Sequence, residues 1–401
     1  MKPVGRSGPA PRPRSGLVST GLTAVLVALM TSAALSGCGS RAADASADVA
    51  PLLKPPLATS LSTAQGTWAT VPMGDLRQPD NTFWQLFFRS PGSTTWSNKV
   101  QATATGTNGG LILGRDGRSL LVGVRPFDKL TFSPLLRTAD AGRSWTDGVF
   151  SDGLADLPDG LAGARGRTVA IAGGARPATV LRSGDFTTWD ELVTVRGLQG
   201  QRSSRPCLPL EVDAVALLAA KTVVGTACGL PGSSGLFIQD NGGWKATGPR
   251  VGPGARYQVV GLLPAGRSLD ALLASSSKAG TQLAVASTAD GQAWDLSSTL
   301  GLGAAQRLGS FGLADGRTFA LLDGATGSQA LYLSPAPGQA AWERLATPPA
   351  RTQALAAGPA HRLDALCVDR TVLTVWTAAP DGAGWSKVQT VKVPIQFGSA
   401  S

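Results

Sequence analysis

Histidine is almost missing from this chain: His361 is the only one in 401 residues, beside two tyrosines, three methionines and four cysteines. A single histidine excludes any multi-histidine metal site. The sequence also holds no CxxC pair, no Gly-x-Ser-x-Gly elbow and no phosphate-binding glycine loop. Neither a metal nor another cofactor is therefore expected. His361 opens the run HRLDALCVD and reads as a strand-end residue, not a general base. Glutamate is scarce too, with Glu191, Glu211 and Glu343 the whole set. The formal charge of +10 includes Lys2, Arg6, Arg12 and Arg14, which precede Cys38 with no acid among them; the remaining 364 residues carry 32 basic and 26 acidic side chains, a net +6. That bias is mild, and no Lys/Arg run interleaved with aromatics accompanies it, so no nucleic-acid partner is expected.

What is abundant is glycine, 51 residues, and an apolar content of 43% broken into many short runs. Such a chain can bury one large core or two ordinary ones. Short apolar runs with frequent turns favour an all-β fold.

The first 37 residues stand apart. A basic, proline-rich leader runs into the apolar GLVSTGLTAVLVALMTSAA and then LSGC, ending at Cys38. This order resembles a bacterial lipoprotein signal, which implies that residues 1–37 are removed and that Cys38 is lipidated. The alternatives are an uncleaved membrane anchor or a secretory signal with an incidental cysteine, and all three place the body outside the cytoplasmic membrane. Residues 38–65, rich in Ala, Ser and Pro, read as a flexible tether, and residues 66–401 as the folded domain.

That domain repeats itself. Seven of the ten tryptophans (Trp96, Trp145, Trp189, Trp244, Trp294, Trp342 and Trp385) follow one another at spacings of 49, 44, 55, 50, 48 and 43 residues. From the second unit on, a run such as GRSLLVG, GRTVAIAGG or GRTFALLDG precedes the Trp, its basic residue 22 to 27 positions upstream. Each unit has room for about four short strands. Repeats of this length and content imply a seven-bladed β-propeller of four-stranded antiparallel blades, with six or eight blades as alternatives. The first unit is incomplete and an extra run, VQTVKVPIQF, closes the chain, so strands from both termini are expected to share one blade.

The best-preserved turn, Thr138-x-Asp140-x-Gly142-x-Ser144-Trp145, fits the Asp-box at every position. Weaker copies centre on Asp185 with Trp189, Asp240 with Trp244 and Asp290 with Trp294. Together they resemble the Asp-box, or bacterial neuraminidase repeat, family of sialidase-like propellers. The resemblance implies a hairpin turn between third and fourth strands, remote from the ligand face, with the Asp as a turn brace. The physics agrees: a short carboxylate accepts turn amides, Gly supplies positive φ, and Trp fills the gap between blades.

Function is then expected on the opposite face. Its loops are rich in arginine, and Arg205, Arg256, Arg307 and Arg351 with Glu211 and Tyr257 are the candidate ligand residues. Guanidinium groups at the axis would attract carboxylates or phosphates. Sialidase chemistry, which the resemblance brings with it, needs an Arg-Ile-Pro motif that is absent and a Tyr–Glu nucleophile pair; Tyr257 with Glu211 is the only pair that a central opening can offer. No catalytic residue is assigned. Cys207 and Cys228 open and close neighbouring strands of the fourth unit on one face, and an oxidising compartment predicts a disulfide between them, leaving Cys367 as a buried thiol. The expectation is a lipid-anchored, extracytoplasmic, monomeric propeller that binds an anionic small molecule, a glycan or an envelope protein. The alternatives are a glycoside hydrolase and an assembly factor for a membrane complex.

Overall fold

The computed structural model describes residues 57–75, 82–99, 109–125, 134–150, 156–174, 177–219, 221–277, 280–303, 305–336, 339–379 and 384–393. Cys38 and the leader lie outside these residues.

Among the described residues, apolar runs that alternate with Gly-, Asp- and Asn-bearing turns become 29 strands. They assemble as seven antiparallel meanders, each continuous in sequence. Blade 1 is β1 (Ala58–Thr63), β2 (Gly66–Gly74), β3 (Thr82–Arg89) and β4 (Ser97–Lys99). Blade 2 is β5 (Gly110–Asp116), β6 (Ser119–Arg125), β7 (Pro134–Thr138) and β8 (Thr146–Val149). Blade 3 is β9 (Asp156–Ala164), β10 (Arg167–Gly174), β11 (Thr179–Ser183) and β12 (Asp190–Thr194). Blade 4 is β13 (Pro209–Leu218), β14 (Lys221–Cys228), β15 (Leu236–Asp240) and β16 (Gly243–Ala246). Blade 5 is β17 (Arg256–Ala265), β18 (Ser268–Ser277) and β19 (Gly280–Thr288), the last paired with both β20 (Asp295–Leu296) and β21 (Leu300–Leu302). Blade 6 is β22 (Arg307–Ala314), β23 (Arg317–Asp323), β24 (Gln329–Leu333) and β25 (Glu343–Arg344). Blade 7 is β26 (Thr352–Ala357), β27 (Leu363–Asp369), β28 (Val372–Ala378) and β29 (Trp385–Lys392). The fold is a seven-bladed β-propeller.

In such a meander the turns between first and second strands share one face with the turns between third and fourth strands. The remaining connections lie on the other face, here called the loop face. On the turn face, Thr138–Trp145 is held by its own side chains. The Asp140 carboxylate accepts the amides of Arg143 (3.1 Å) and Ser144 (2.9 Å) and the Ser144 hydroxyl (2.6 Å), while Thr138 Oγ1 accepts the Gly142 amide (2.9 Å). Gly142 sits at φ +74°, where a side chain is strained. Asp185 and Asp290 accept the same pair of amides in their turns. These hydrogen bonds, the Ser144 and Thr188 hydroxyls foremost, hold the carboxyls of Asp140 and Asp185 well below the usual range, and backbone amides do the same for Asp290. The fourth copy departs from the pattern. Asp240 pairs with Lys221 Nζ at 3.0 Å, and the turn beside it is a two-residue hairpin with Asn241 at φ 47° and Gly242 at φ 81°. An Asn-Gly hairpin closes itself without a carboxylate brace.

The repeating tryptophans bind each blade to its predecessor. The indole N–H of Trp189 donates to Val149 O (2.8 Å), that of Trp294 to Thr247 Oγ1 (3.4 Å), that of Trp342 to Ser298 O (3.0 Å) and that of Trp385 to Ala346 O (3.5 Å). Trp145 meets Trp68 edge-on at 6.2 Å, and Trp244 joins the core shared by blades 3 and 4.

Ring closure differs from the expectation. No blade is shared between the termini among the described residues: β1 to β4 are all N-terminal, β26 to β29 all C-terminal, and the VQTVK part of the closing run belongs to β29. The seam is made by side chains instead. Asp364 of β27 is 1% exposed; it forms an ion pair with Arg89, whose Nε lies 3.2 Å from its carboxylate, and accepts hydrogen bonds from Trp96 Nε1 at 2.9 Å and Thr377 Oγ1 at 2.7 Å. Arg89, 4% exposed, also donates to Ser93 O and Ala357 O. Gln389 reaches across to both the amide (2.7 Å) and the carbonyl (2.9 Å) of Trp96.

The domain boundary also moves. Ala58–Thr63, read from the sequence as the end of the tether, is the inner strand of blade 1. Its residues ATSLST are small and partly polar because the strand lies near the axis, where it pairs in parallel with β22 (Ala58 with Ser310, Thr59 with Phe311). Ser310 Oγ donates to Ala58 O at 2.8 Å.

Candidate functional site

The inner strands of blades 3 to 7 share one irregularity. Their register with the second strand skips a residue at matching positions, Asp159, Asp213, Val260, Gly309 and Gln353, and in blade 4 a second skip falls at Leu210. A bulge of this kind re-aims a side chain and bends the strand. In blades 3 and 4 the bulged residue is an aspartate, and Asp159 and Asp213 are both among the residues that line an axial cavity, toward its loop-face end.

Asp159 is held from both sides. Arg125, the last residue of β6 in the neighbouring blade, places Nη1 2.6 Å from its Oδ1. On the other side the carboxylate lies over Gly173 of β10: a Cβ there would sit 1.5 Å from Oδ2, so only glycine fits. Burial raises the Asp159 pKa, Arg125 opposes that shift and Glu211 adds to it. Asp213 receives a hydrogen bond from the Gln258 side chain and one from the Ala227 amide. Its Oδ2 is out of contact with solvent and has no hydrogen-bond partner. Burial, followed by the charges of Glu211 and Asp159, pushes its pKa up to about 7. Glu211 stands exposed two residues before it.

The cavity has a volume of about 300 Å³ and extends from these carboxylates toward the turn face. Its walls come from the inner strands of blades 1 to 6, with Leu61, Ile112, Leu161, Val215, Leu263 and Phe311 among the apolar contributors. Among the described residues, Phe311 is the only aromatic side chain in the lining and Arg115, at the turn-face end, the only basic one. Among the described residues no group of three His, Cys, Asp or Glu is placed to hold a metal ion. The combination of an apolar chamber and two carboxylates at one end suits a small ligand with one polar end.

The residues singled out from the sequence lie elsewhere. Arg205 and Arg307 are exposed, Arg256 is half-buried and Tyr257 is buried in the core of blade 5. Arg351 is paired with Asp369 at 2.6 Å on an open surface. None of these, nor Glu211, lines the axial cavity. The expected arginine funnel is therefore not assembled at the axis: Arg205 and Arg307 keep their hydration on the surface, and Arg351 is paired with Asp369 there. Tyr257 and Glu211 likewise do not meet as a dyad: the tyrosine packs inward with Val259 while Glu211 stays in solvent. The structure pairs Cys207 with Cys228 by a disulfide on the loop face and buries Cys367 beside Thr352 Oγ1. The sequence reading missed Asp159, Asp213 and their partners Arg125 and Gln258. One signal was present, since Asp159 precedes Trp189 by 30 residues and Asp213 precedes Trp244 by 31.

No family model matches the chain, and no curated protein matches it by sequence. Solved structures do. A Bacteroides uniformis protein named as a 6-phosphogluconolactonase superposes with a TM-score of 0.51 at 11% identity, over 82% of this chain and 97% of that one. Its Bacteroides fragilis counterpart gives 0.50 at 13%, over 83% and 97%. The GH74 enzyme of Niastella koreensis gives 0.51 at 12%, over 81% of this chain but only 52% of the enzyme. Identities this low carry the fold and nothing of the chemistry. What these likenesses and the seven closed blades establish together is that the chain is a β-propeller.

Proposed function

We propose that the chain is a non-catalytic, lipid-anchored, extracytoplasmic propeller that binds a small ligand in its axial cavity. The Asp-box resemblance and the lipoprotein-like leader support the setting. The observation that carries the binding role is the cavity itself: a chamber of about 300 Å³ with apolar walls and a buried carboxylate oxygen without a donor. Binding sites are typically of this size, mostly apolar, with few convergent polar groups. The test is ligand-induced stabilisation of the chain across a small-molecule panel, repeated with Leu263→Trp, which fills the chamber. Stabilisation that the filled variant loses supports the reading; stabilisation that survives filling refutes it. Lipid anchoring is tested separately by Cys38→Ala, which should move the protein from the membrane to the soluble fraction.

One observation favours a glycoside hydrolase as the second reading: two carboxylates occupy equivalent positions on adjacent blades, and one has a pKa suited to a general acid. The walls weigh against it, because a single phenylalanine among aliphatic side chains offers a sugar little to stack on or hydrogen-bond to. Turnover of a sialoside or aryl-glycoside that Asp213→Asn abolishes would replace the binding reading.

A further inference from the structure

We infer that the ligand of the axial cavity is an apolar body carrying one protonated nitrogen, with Asp213 as the seat of the ammonium group. The inference rests on the binding role proposed above and adds the chemical class. Charge is the first reason. The loop-face end of the cavity carries Asp159 and Asp213, Glu211 adds its charge to both from outside the cavity, and the neighbouring cation, Arg125, is already committed to Asp159 at 2.6 Å. Cationic ligands are attracted there and anionic ones repelled. Unsatisfied hydrogen bonding is the second reason. Gln258 and the Ala227 amide supply donors to the Asp213 carboxyl group, yet Oδ2 is buried without one. A buried acceptor left unpaired is costly, and a ligand N–H fills the vacancy. The walls give the third. Leu61, Ile112, Val215 and Leu263 exclude a polar body and offer an aliphatic one a dry surface. A hard divalent cation is the wrong occupant, since it demands six or more oxygen ligands and no three-ligand grouping exists among the described residues.

The pH dependence follows from the groups that face Asp213. Glu211 on its own strand and Asp159 on β9 are acidic, Arg125 stands behind Asp159, and the neighbouring β17 and β14 present the uncharged Gln258 and the Ala227 amide. With ionisation centred at about pH 7, the charged seat is mostly absent at pH 6 and mostly present at pH 8. An amine that stays protonated throughout should therefore bind roughly ten-fold more tightly at the higher pH.

The experiment compares cyclohexylmethylamine with its neutral isostere cyclohexylmethanol on the full chain by calorimetry or ligand-observed NMR. The amine is expected to bind about 10- to 100-fold more tightly than the alcohol at pH 8, the range of a charge-assisted hydrogen bond. Asp213→Asn should erase that preference and the pH dependence while leaving the alcohol's affinity in place, which also shows that the variant is folded. Leu263→Trp should abolish both. Equal affinity for amine and alcohol, or a preference that survives Asp213→Asn, overturns the ammonium seat but leaves the binding cavity standing. Absence of binding by either probe, or binding that survives Leu263→Trp, overturns the cavity reading with it.

Discussion

Removing one partner of the Arg89–Asp364 pair should open the ring, and the two partners should not be equivalent. Asp364→Ala strands a guanidinium that is 4% exposed and cannot lose its proton, and it also leaves the Trp96 indole N–H and the Thr377 hydroxyl without an acceptor. Arg89→Met strands a carboxylate that keeps two neutral donors, and burial already raises its pKa, so it can take up a proton. Breaking a buried pair costs about 3–5 kcal/mol. Asp364→Ala belongs at the top of that range and Arg89→Met at the bottom. The control is Asp369→Ala, which breaks the Arg351–Asp369 pair. That pair is shorter, 2.6 Å against 3.2 Å, but its side chains are 65% and 70% exposed, and such pairs contribute less than about 1 kcal/mol. Burial, not distance, is therefore expected to rank the variants. Urea unfolding followed by tryptophan fluorescence reads this as a midpoint lowered by on the order of 1 M for Asp364→Ala. If Asp364→Ala costs no more than Asp369→Ala, the buried pair does not close the ring.

Other outcomes follow from the site and its supports. Asp213 has a folded pKa of about 7 against an ordinary 3.8, so its contribution to stability is full below about pH 4 and is lost as the pH rises through 7. Asp213→Asn should accordingly flatten the pH dependence of the urea midpoint between pH 4 and 7 and stabilise the chain at pH 8, by up to about 4 kcal/mol. Gly173→Ala drives a methyl group into Asp159 Oδ2, and its loss of about 1–3 kcal/mol should contrast with Gly184→Ala, where a Cβ meets nothing within 4 Å and the change should stay within about 0.5 kcal/mol. The Cys207→Ser/Cys228→Ser double variant releases a disulfide spanning 21 residues and should lose about 3 kcal/mol, whereas wild type treated with reductant should match it.

The propeller was legible because its most regular contact repeats once per blade. An indole that packs against the preceding blade, as Trp189 does in reaching the Val149 carbonyl and Trp342 in reaching that of Ser298, recurs at a similar height from unit to unit, and that recurrence shows in the spacing of the tryptophans. The ends of the ring lack such a signal. ATSLST has neither a long apolar run nor a turn marker, since an inner strand beside the axis has room only for small side chains, and its partners are β2 and the distant β22. The seam was hidden for the same reason: Arg89 and Asp364 are 275 positions apart, and each alone looks like an ordinary charge at a strand end.

The site was the least legible part, and the bulge explains why. On a regular strand Asp159 and Asp213 would follow the two-residue alternation by which DGLAGAR and EVDAVALL are read from sequence alone. An inserted residue at each aspartate breaks that alternation, but the insertion exists only relative to the paired second strand. What makes Asp159 tolerable there lies further away still, in Gly173 of β10 and Arg125 of another blade. A local pattern cannot report a pairing between blades. Aligning the units on their tryptophans can, because it places the two acids at 30 and 31 residues upstream, with Val260 at 34, Gly309 at 33 and Gln353 at 32. The inner strand is bulged in five blades and acidic in only two neighbouring ones, so the acidity is not demanded by the fold, and the asymmetry it creates around the axis is what directs a cation to that side of the cavity.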